Sequence, residues 1–190
     1  MIKLIDLLNE GKQVGTLYHF TPLNNLIKIF QSNCLKDRTA SGEEVHFKPK
    51  KYYVSFTRNK DFNTIAKVFG LRTGINFNNV GCICMITVDG DKLSNSYSTE
   101  PARDINFSST DPKSKWSQTP KVVKKGKKYF SADESEERIY TNQCIPIKDY
   151  TISITLIDPT EQDLEKARAY TDHSVPVKIY NSKTKQETSL

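Results

Sequence analysis

The chain has 190 residues, 36% of them hydrophobic, with nine Tyr and nine Phe. That is enough for one domain with a single core, and it excludes a chain too polar to fold. No apolar run approaches the roughly 18–20 residues that span a bilayer. The net charge of +6 favours acidic partners, nucleic acid or nucleotides among them.

In chain order, Met1–Glu10 reads as an amphipathic helix, with Ile2, Leu4, Ile5 and Leu8 at helical spacing. It lacks the apolar core and small-residue cleavage site of a secretory signal, so an intracellular, soluble protein is expected. Gly11 and Gly15 break that pattern. Thr16–Phe20 reads as a strand. Thr21 and Pro22 suit the N-cap and first position of a helix whose apolar face is Leu23, Leu26, Ile27 and Phe30, ending near Ser32-Asn33. Lys36–Pro49 reads as loop, Tyr52–Phe56 as a strand, and Asp61–Phe69 as a helix stopped by Gly70. Val80–Val88 is almost unbroken in its apolar character, as expected of a central strand, and Asp89-Gly90-Asp91 reads as a turn. Ser94–Ser131 is polar and irregular, the pattern of a long functional loop. Glu137–Thr141 and Tyr150–Ile157 read as strands. Thr160 begins a helix to Ala169 with a Thr-x-x-Asp start like a capping box. Val175–Tyr180 reads as a last strand and Asn181–Leu190 as a frayed tail.

This order predicts an α+β fold with a mixed or antiparallel sheet flanked by helices. The expected divisions are an N-terminal peptide over 1–10, one domain over 11–180 and a tail over 181–190. The four cysteines form no Cys-x-x-Cys pair, and the expectation is free, buried thiols in a reducing compartment. The three His show no metal-ligand spacing, so no metal is expected.

Three segments place reactive groups at strand ends: Leu17-Tyr18-His19-Phe20-Thr21, Tyr53-Val54-Ser55-Phe56-Thr57-Arg58, and Asp133-Glu134-Ser135-Glu136-Glu137-Arg138-Ile139. Singly, each reads as ordinary structure: a structural histidine, a half-exposed strand, a solvated acidic helix start with Glu134 and Arg138 four apart. No nucleophile elbow, phosphate loop or dinucleotide fingerprint is present.

In this order the three segments resemble the ADP-ribosyltransferase superfamily, in its DarT-like, His-type branch. There, a first strand carries His or Arg, a second carries a Ser/Thr or Tyr element, and a later strand begins with the catalytic Glu, often in a Glu-x-Glu. The resemblance covers residues 16–158 and implies a split β-sheet and NAD as co-substrate. It implies Glu136 as the catalytic carboxylate, Glu134 as the acid that orients or deprotonates the acceptor, and Arg58 on the pyrophosphate or the acceptor. His19 and Thr21 would hold the adenosine ribose, and Ser55 and Thr57 would orient the nicotinamide ribose or Glu136. The paired tyrosines of the diphtheria-toxin-like branch are missing, which leaves Tyr52, Tyr53 or Phe62 to stack on nicotinamide. A carboxylate suits this chemistry because nicotinamide departure leaves positive charge on the ribose, as in glycoside hydrolysis.

The segment before the catalytic strand often recognises the acceptor in these enzymes. Here it carries Lys113, Lys115, Trp116, Lys121, Lys124, Lys125, Lys127 and Lys128, followed by Tyr129 and Phe130. Lysines interleaved with aromatics suit phosphates and stacked bases, which favours a nucleic-acid acceptor over a host protein. A solvated lysine loop is the plainer alternative. Leu8-Asn9-Glu10 resembles the end of the capsid-targeting peptides of some large tailed phages, which implies cleavage before Gly11, packaging in the virion and action in the host cytoplasm. An ordinary amphipathic helix is the alternative. The functional expectation is NAD-dependent ADP-ribosyl transfer to a macromolecule. The competing readings are a non-catalytic nucleic-acid-binding protein on the same fold and an NAD glycohydrolase.

Overall fold

A computed structural model describes residues 14–36, 53–62, 81–101, 122–125, 128–131, 136–141, 144–170 and 174–190. The expected helices at Met1–Glu10 and beyond Phe62, together with Tyr52, Lys113, Lys115, Trp116 and Glu134, lie outside these residues.

The described chain is α+β, as its sequence order predicts. It runs β1 Thr16–Pro22, α1 Leu23–Ser32, β2 Tyr53–Thr57, β3 Ile83–Asp89, α2 Gly90–Ser96, β4 Ser98–Pro101, β5 Val122–Lys125, β6 Lys128–Ser131, β7 Glu136–Tyr140, β8 Thr151–Ile157, α3 Glu161–Tyr170, β9 Val177–Asn181 and β10 Gln186–Ser189. Eight strands form one mixed sheet in the order β10-β9-β8-β3-β1-β2-β7-β4, and β5 and β6 pair separately. The β8–β9 pairing is parallel, and the main sheet's other pairings are antiparallel. Parallel neighbours need a crossover, and α3 provides it.

The pleat sorts the core into two faces. Leu17, Val54, Phe56, Cys84, Ile86, Val88, Ile139, Ile154 and Leu156 pack in one cluster with Leu23, Leu26 and Phe30 of α1, Leu93 of α2 and Ala167 of α3. Phe20, Ile83, Met85 and Ile157 form a second cluster with Tyr18, Phe62 and Tyr180. β3 is buried on both faces, which is why its sequence shows an apolar run instead of an alternation.

The helix ends follow local chemistry. Asn33, in the left-handed region at φ 46°, closes α1, and the Cys34 N–H donates to the Ile29 carbonyl at 3.0 Å. At α3, Thr160 Oγ1 accepts from the Asp163 N–H at 3.2 Å, and Asp163 Oδ2 accepts from the Thr160 N–H at 3.0 Å. This is a reciprocal capping box with Asp in the place of Glu.

Five expectations need correction. Thr21 does not cap α1: it lies within β1, Pro22 is the cap residue, and no side chain bonds the helix start. β1 is extended to Pro22 because Thr21 and Pro22 still register with Cys84 and Ile83 of β3. Asp89-Gly90-Asp91 is no turn but a helix start, with Asp89 accepting from the Lys92 N–H at 2.9 Å. A Cβ on Gly90 would collide with the Gly15 carbonyl and the Leu17 side chain, so this close approach requires glycine. The polar stretch 94–131 is not structureless, since it includes β4 and the β5–β6 pair. The C-terminus is no frayed tail. Asn181 Oδ1 accepts from the Lys183 and Thr184 N–H groups at 3.0 Å each, and the chain returns as β10 against β9. Finally, the cysteines are not all free. Cys34 and Cys144 are joined in a disulfide, while Cys82 and Cys84 are buried free thiols. The reason is tertiary: the end of α1 and the segment before β8 meet at the antiparallel Leu35↔Ile145 bridge, and Cys34 and Cys144 beside it have Cα atoms 5.2 Å apart.

Candidate functional site

The three strands that carry the reactive segments become neighbours. β2 lies between β1 and β7, although Ser55 and Glu136 are 81 residues apart in sequence (136 − 55). Thr57 registers with Tyr18 of β1 on one side and Glu136 of β7 on the other. Glu136 is the first residue of β7, and Ser55 stands opposite Arg138.

The β1–β2 contact is thin. It has the single register pair Tyr18↔Thr57, whereas β1 and β3 register over all seven residues from Thr16 to Pro22. Beside that pair, the His19 side chain reaches the β2 backbone. Its Nδ1 lies 3.0 Å from the Ser55 carbonyl oxygen, and its ring sits 5.6 Å from the Phe56 ring. A carbonyl can only accept, so Nδ1 carries a proton. In the neutral imidazole, Nε2 is then a lone-pair acceptor. Burial pushes the His19 pKa below its ordinary 6.5, outweighing the opposing effect of the Ser55 hydrogen bond. The neutral form with a fixed tautomer is therefore the resting state near neutral pH.

Past the seam, β2 ends in a locally held turn. Thr57 is buried, and its hydroxyl oxygen accepts from the Asn59 N–H at 3.0 Å. Asn59 Oδ1 in turn accepts from the Asp61 N–H at 2.8 Å. These turns present Arg58, which is exposed, directly beyond the strand end. On β2, Ser55 and Tyr53 are partly exposed. The Arg138 guanidinium carbon lies 4.4 Å from the centre of the Tyr53 ring, and the Tyr140 ring lies edge-on at 5.9 Å.

The expected residues are thus divided. His19, Ser55, Thr57, Tyr53 and Glu136 lie on the adjoining strands β1, β2 and β7, with Arg58 just past β2, but Tyr53, opposite Tyr140, is at the other end of β2 from the Thr57↔Glu136 pair, and the His19 ring packs with Phe56. Thr21 is on β1 but buried, in register with Cys84 and away from β2. Phe62 packs 6.2 Å from Phe20 in the second core cluster. Lys124 and Lys125 lie on β5, in register with Tyr129 and Lys128 of β6. Sequence reading missed two features: the Arg138–Tyr53 stack and the span of His19 to a backbone carbonyl. The first had a readable signal, since Arg138 lies in Glu137–Thr141, which reads as a strand, and Tyr53 lies in Tyr52–Phe56, which reads as another. The second had none, because it depends on where β1 and β2 meet.

Compared with known proteins, the chain matches no family model and no curated sequence.

Proposed function

We propose that the protein is an NAD-dependent ADP-ribosyltransferase that modifies a macromolecule, with a nucleic acid as the favoured acceptor. The observation that supports this reading is the convergence of the three motif-bearing strands as β1-β2-β7, with Glu136 opening β7 opposite Thr57. The family resemblance implies a split sheet, whereas the eight described strands form one sheet in which β1 and β2 share a single register pair. The seam and the residues along it also suit the co-substrate. A neutral His19 with Nδ1–H held by Ser55 offers Nε2 as acceptor for a ribose hydroxyl. Arg58 offers a fork for pyrophosphate oxygens. Ser55 would orient the nicotinamide ribose, and Tyr53, with Arg138 on its face, is the described candidate for stacking.

Glu136 supplies negative charge where positive charge grows on the ribose as the nicotinamide bond breaks. That interaction is strongest in the transition state, so it lowers the barrier instead of merely tightening binding. Glu134, two residues earlier, would take the acceptor's proton. In the sequence, Lys124, Lys125 and Lys128 precede the catalytic strand, and their charge would suit acceptor phosphates.

The test is an assay with labelled NAD, offering DNA, RNA and protein in separate reactions. Label should join one acceptor class in wild type and fall roughly 10²-fold or more in Glu136→Gln with the fold retained. Free ADP-ribose with no labelled acceptor would identify a glycohydrolase. Full activity in Glu136→Gln, or salt-dependent nucleic-acid binding with no NAD turnover, would overturn the proposal.

A further inference from the structure

Residues 58–62 follow β2 and lead over the sheet face that carries the second core cluster. Their start is held locally, with the Thr57 hydroxyl accepting from the Asn59 N–H at 3.0 Å and Asn59 Oδ1 from the Asp61 N–H at 2.8 Å. Their end is held by packing, since Phe62 joins Phe20, Ile83, Met85 and Ile157 together with Tyr180 of β9. Between these two points, Lys60 reaches the far edge of the sheet. Its Nζ lies 3.7 Å from Glu187 Oε2 on β10, although β1, β3, β8 and β9 stand between β2 and β10 in strand order.

Glu187 is set up for this contact from its own side. It registers with Tyr180 on β9, which places it diagonally across from Lys178 on the same face. Lys178 Nζ donates to Glu187 Oε1 at 2.7 Å, so each carboxylate oxygen faces one ammonium group. The hydrogen bond from Lys178 and the nearby charge of Lys60 hold the Glu187 carboxyl below its ordinary pKa of 4.5. The Lys60 and Glu187 side chains are 62% and 30% exposed, which makes this a solvent-screened pair and limits the effect expected from it.

We infer that Glu187 is a positioning residue: through Lys60 it fixes the path of the segment that carries Arg58, and Lys178 orients its carboxylate for that contact. The last strand thus does more than extend the sheet edge, because it bears on a segment 127 residues earlier in the chain (187 − 60). The placement stands on the fold. Its use in binding NAD rests on the reading above, in which Arg58 takes the pyrophosphate.

The test is amide hydrogen exchange by NMR on the full chain without ligand, read at Asn59 and Asp61. Glu187→Gln removes the charge and keeps the shape, and should speed exchange at both amides by about two- to fivefold, the range for a partly exposed ion pair. Lys60→Met should do the same, and the double variant should be no faster than either single one. Sodium chloride at about 1 M should bring the wild type toward the variants and leave the variants unchanged. The Ile86 amide of β3 is the control. If Glu187→Gln speeds it as well, the sheet itself has loosened, and Lys60→Met decides. Wild-type rates in Lys60→Met, or effects of the two substitutions that simply add, would overturn the assignment. With NAD, Glu187→Gln should raise KM by about two- to fivefold with kcat unchanged. Faster exchange with an unchanged KM, or a wild type that does not turn over NAD, counts against the NAD reading and leaves the positioning result standing.

Discussion

The two sides of the β1–β2 seam are built differently. On one side, β1, β3 and β8 register along nearly their whole lengths, and Leu17, Ile86, Val88, Ile154 and Leu156 are fully buried among them. On the other side, β7 is paired on both edges, to β2 and β4, but the group shares only one register pair with β1. The first region is a core whose side chains are spent on packing. The second carries the charged and polar residues of the proposed site: Ser55, Arg58, Glu136 and Arg138. Reactive groups sit where the sheet is least continuous because a fully paired, fully packed sheet leaves no room for a ligand between its strands.

The contrast can be broken most severely from the packed side. Leu156→Ala should cost about 2–5 kcal/mol of stability, read by urea unfolding, with the reaction unaffected at temperatures where the variant stays folded. An equally large loss of turnover in the folded variant would mean that the two sides are not separable.

Next in size is the seam. His19→Ala removes a hydrogen bond to the Ser55 carbonyl and the ring packed on Phe56, and should cost about 1–3 kcal/mol. The same residue predicts a pH dependence. Its folded pKa is lowered from an ordinary 6.5, so the unfolded chain binds the proton more readily. Stability is then fully present above about 6.5 and falls as pH drops through the lowered folded value. Chemical denaturation across pH 4–8 should show this slope in wild type and lose part of it in His19→Asn. If the two profiles coincide, the imidazole does not rest in the neutral form.

A smaller effect belongs to the capping box outside the sheet. Asp163→Ala should cost about 1 kcal/mol in thermal unfolding and leave the proposed NAD turnover unchanged. The smallest concerns the Arg138–Tyr53 stack. Arg138→Lys keeps the charge but loses the planar group, and should cost less than about 1 kcal/mol while weakening any ligand that uses its fork. A loss well above that would show Arg138 to be a structural mainstay of β7.

Local pattern was enough for much of the fold. The apolar face of α1, its stop at Asn33, the capping box of α3 and the doubly buried run of β3 each depend on residues within one turn or one strand of each other. The same holds for the candidate site up to a point: His19, Ser55 and Glu136 stand out in the sequence because they interrupt strand-like patterns with reactive groups. It failed where a long-range partner decides conformation. Asp89-Gly90-Asp91 has the composition of a turn, yet it opens a helix because Gly90 is held against the Gly15 carbonyl, 75 residues away in sequence (90 − 15). Gln186–Ser189 has no apolar alternation at all, and it is a strand because β9 offers it a free edge.

By itself, then, the sequence determined β1, α1, β2, β3, β7, β8, α3 and β9 and a shortlist of polar residues at strand ends, since periodicity and capping are short-range effects. Only the tertiary structure decided that β1, β2 and β7 adjoin, that β1 and β2 share one register pair, and that Cys34 meets Cys144 across a sequence separation of 110. Strand order and disulfide pairing are set by the burial of both sheet faces together, and no local segment carries that information.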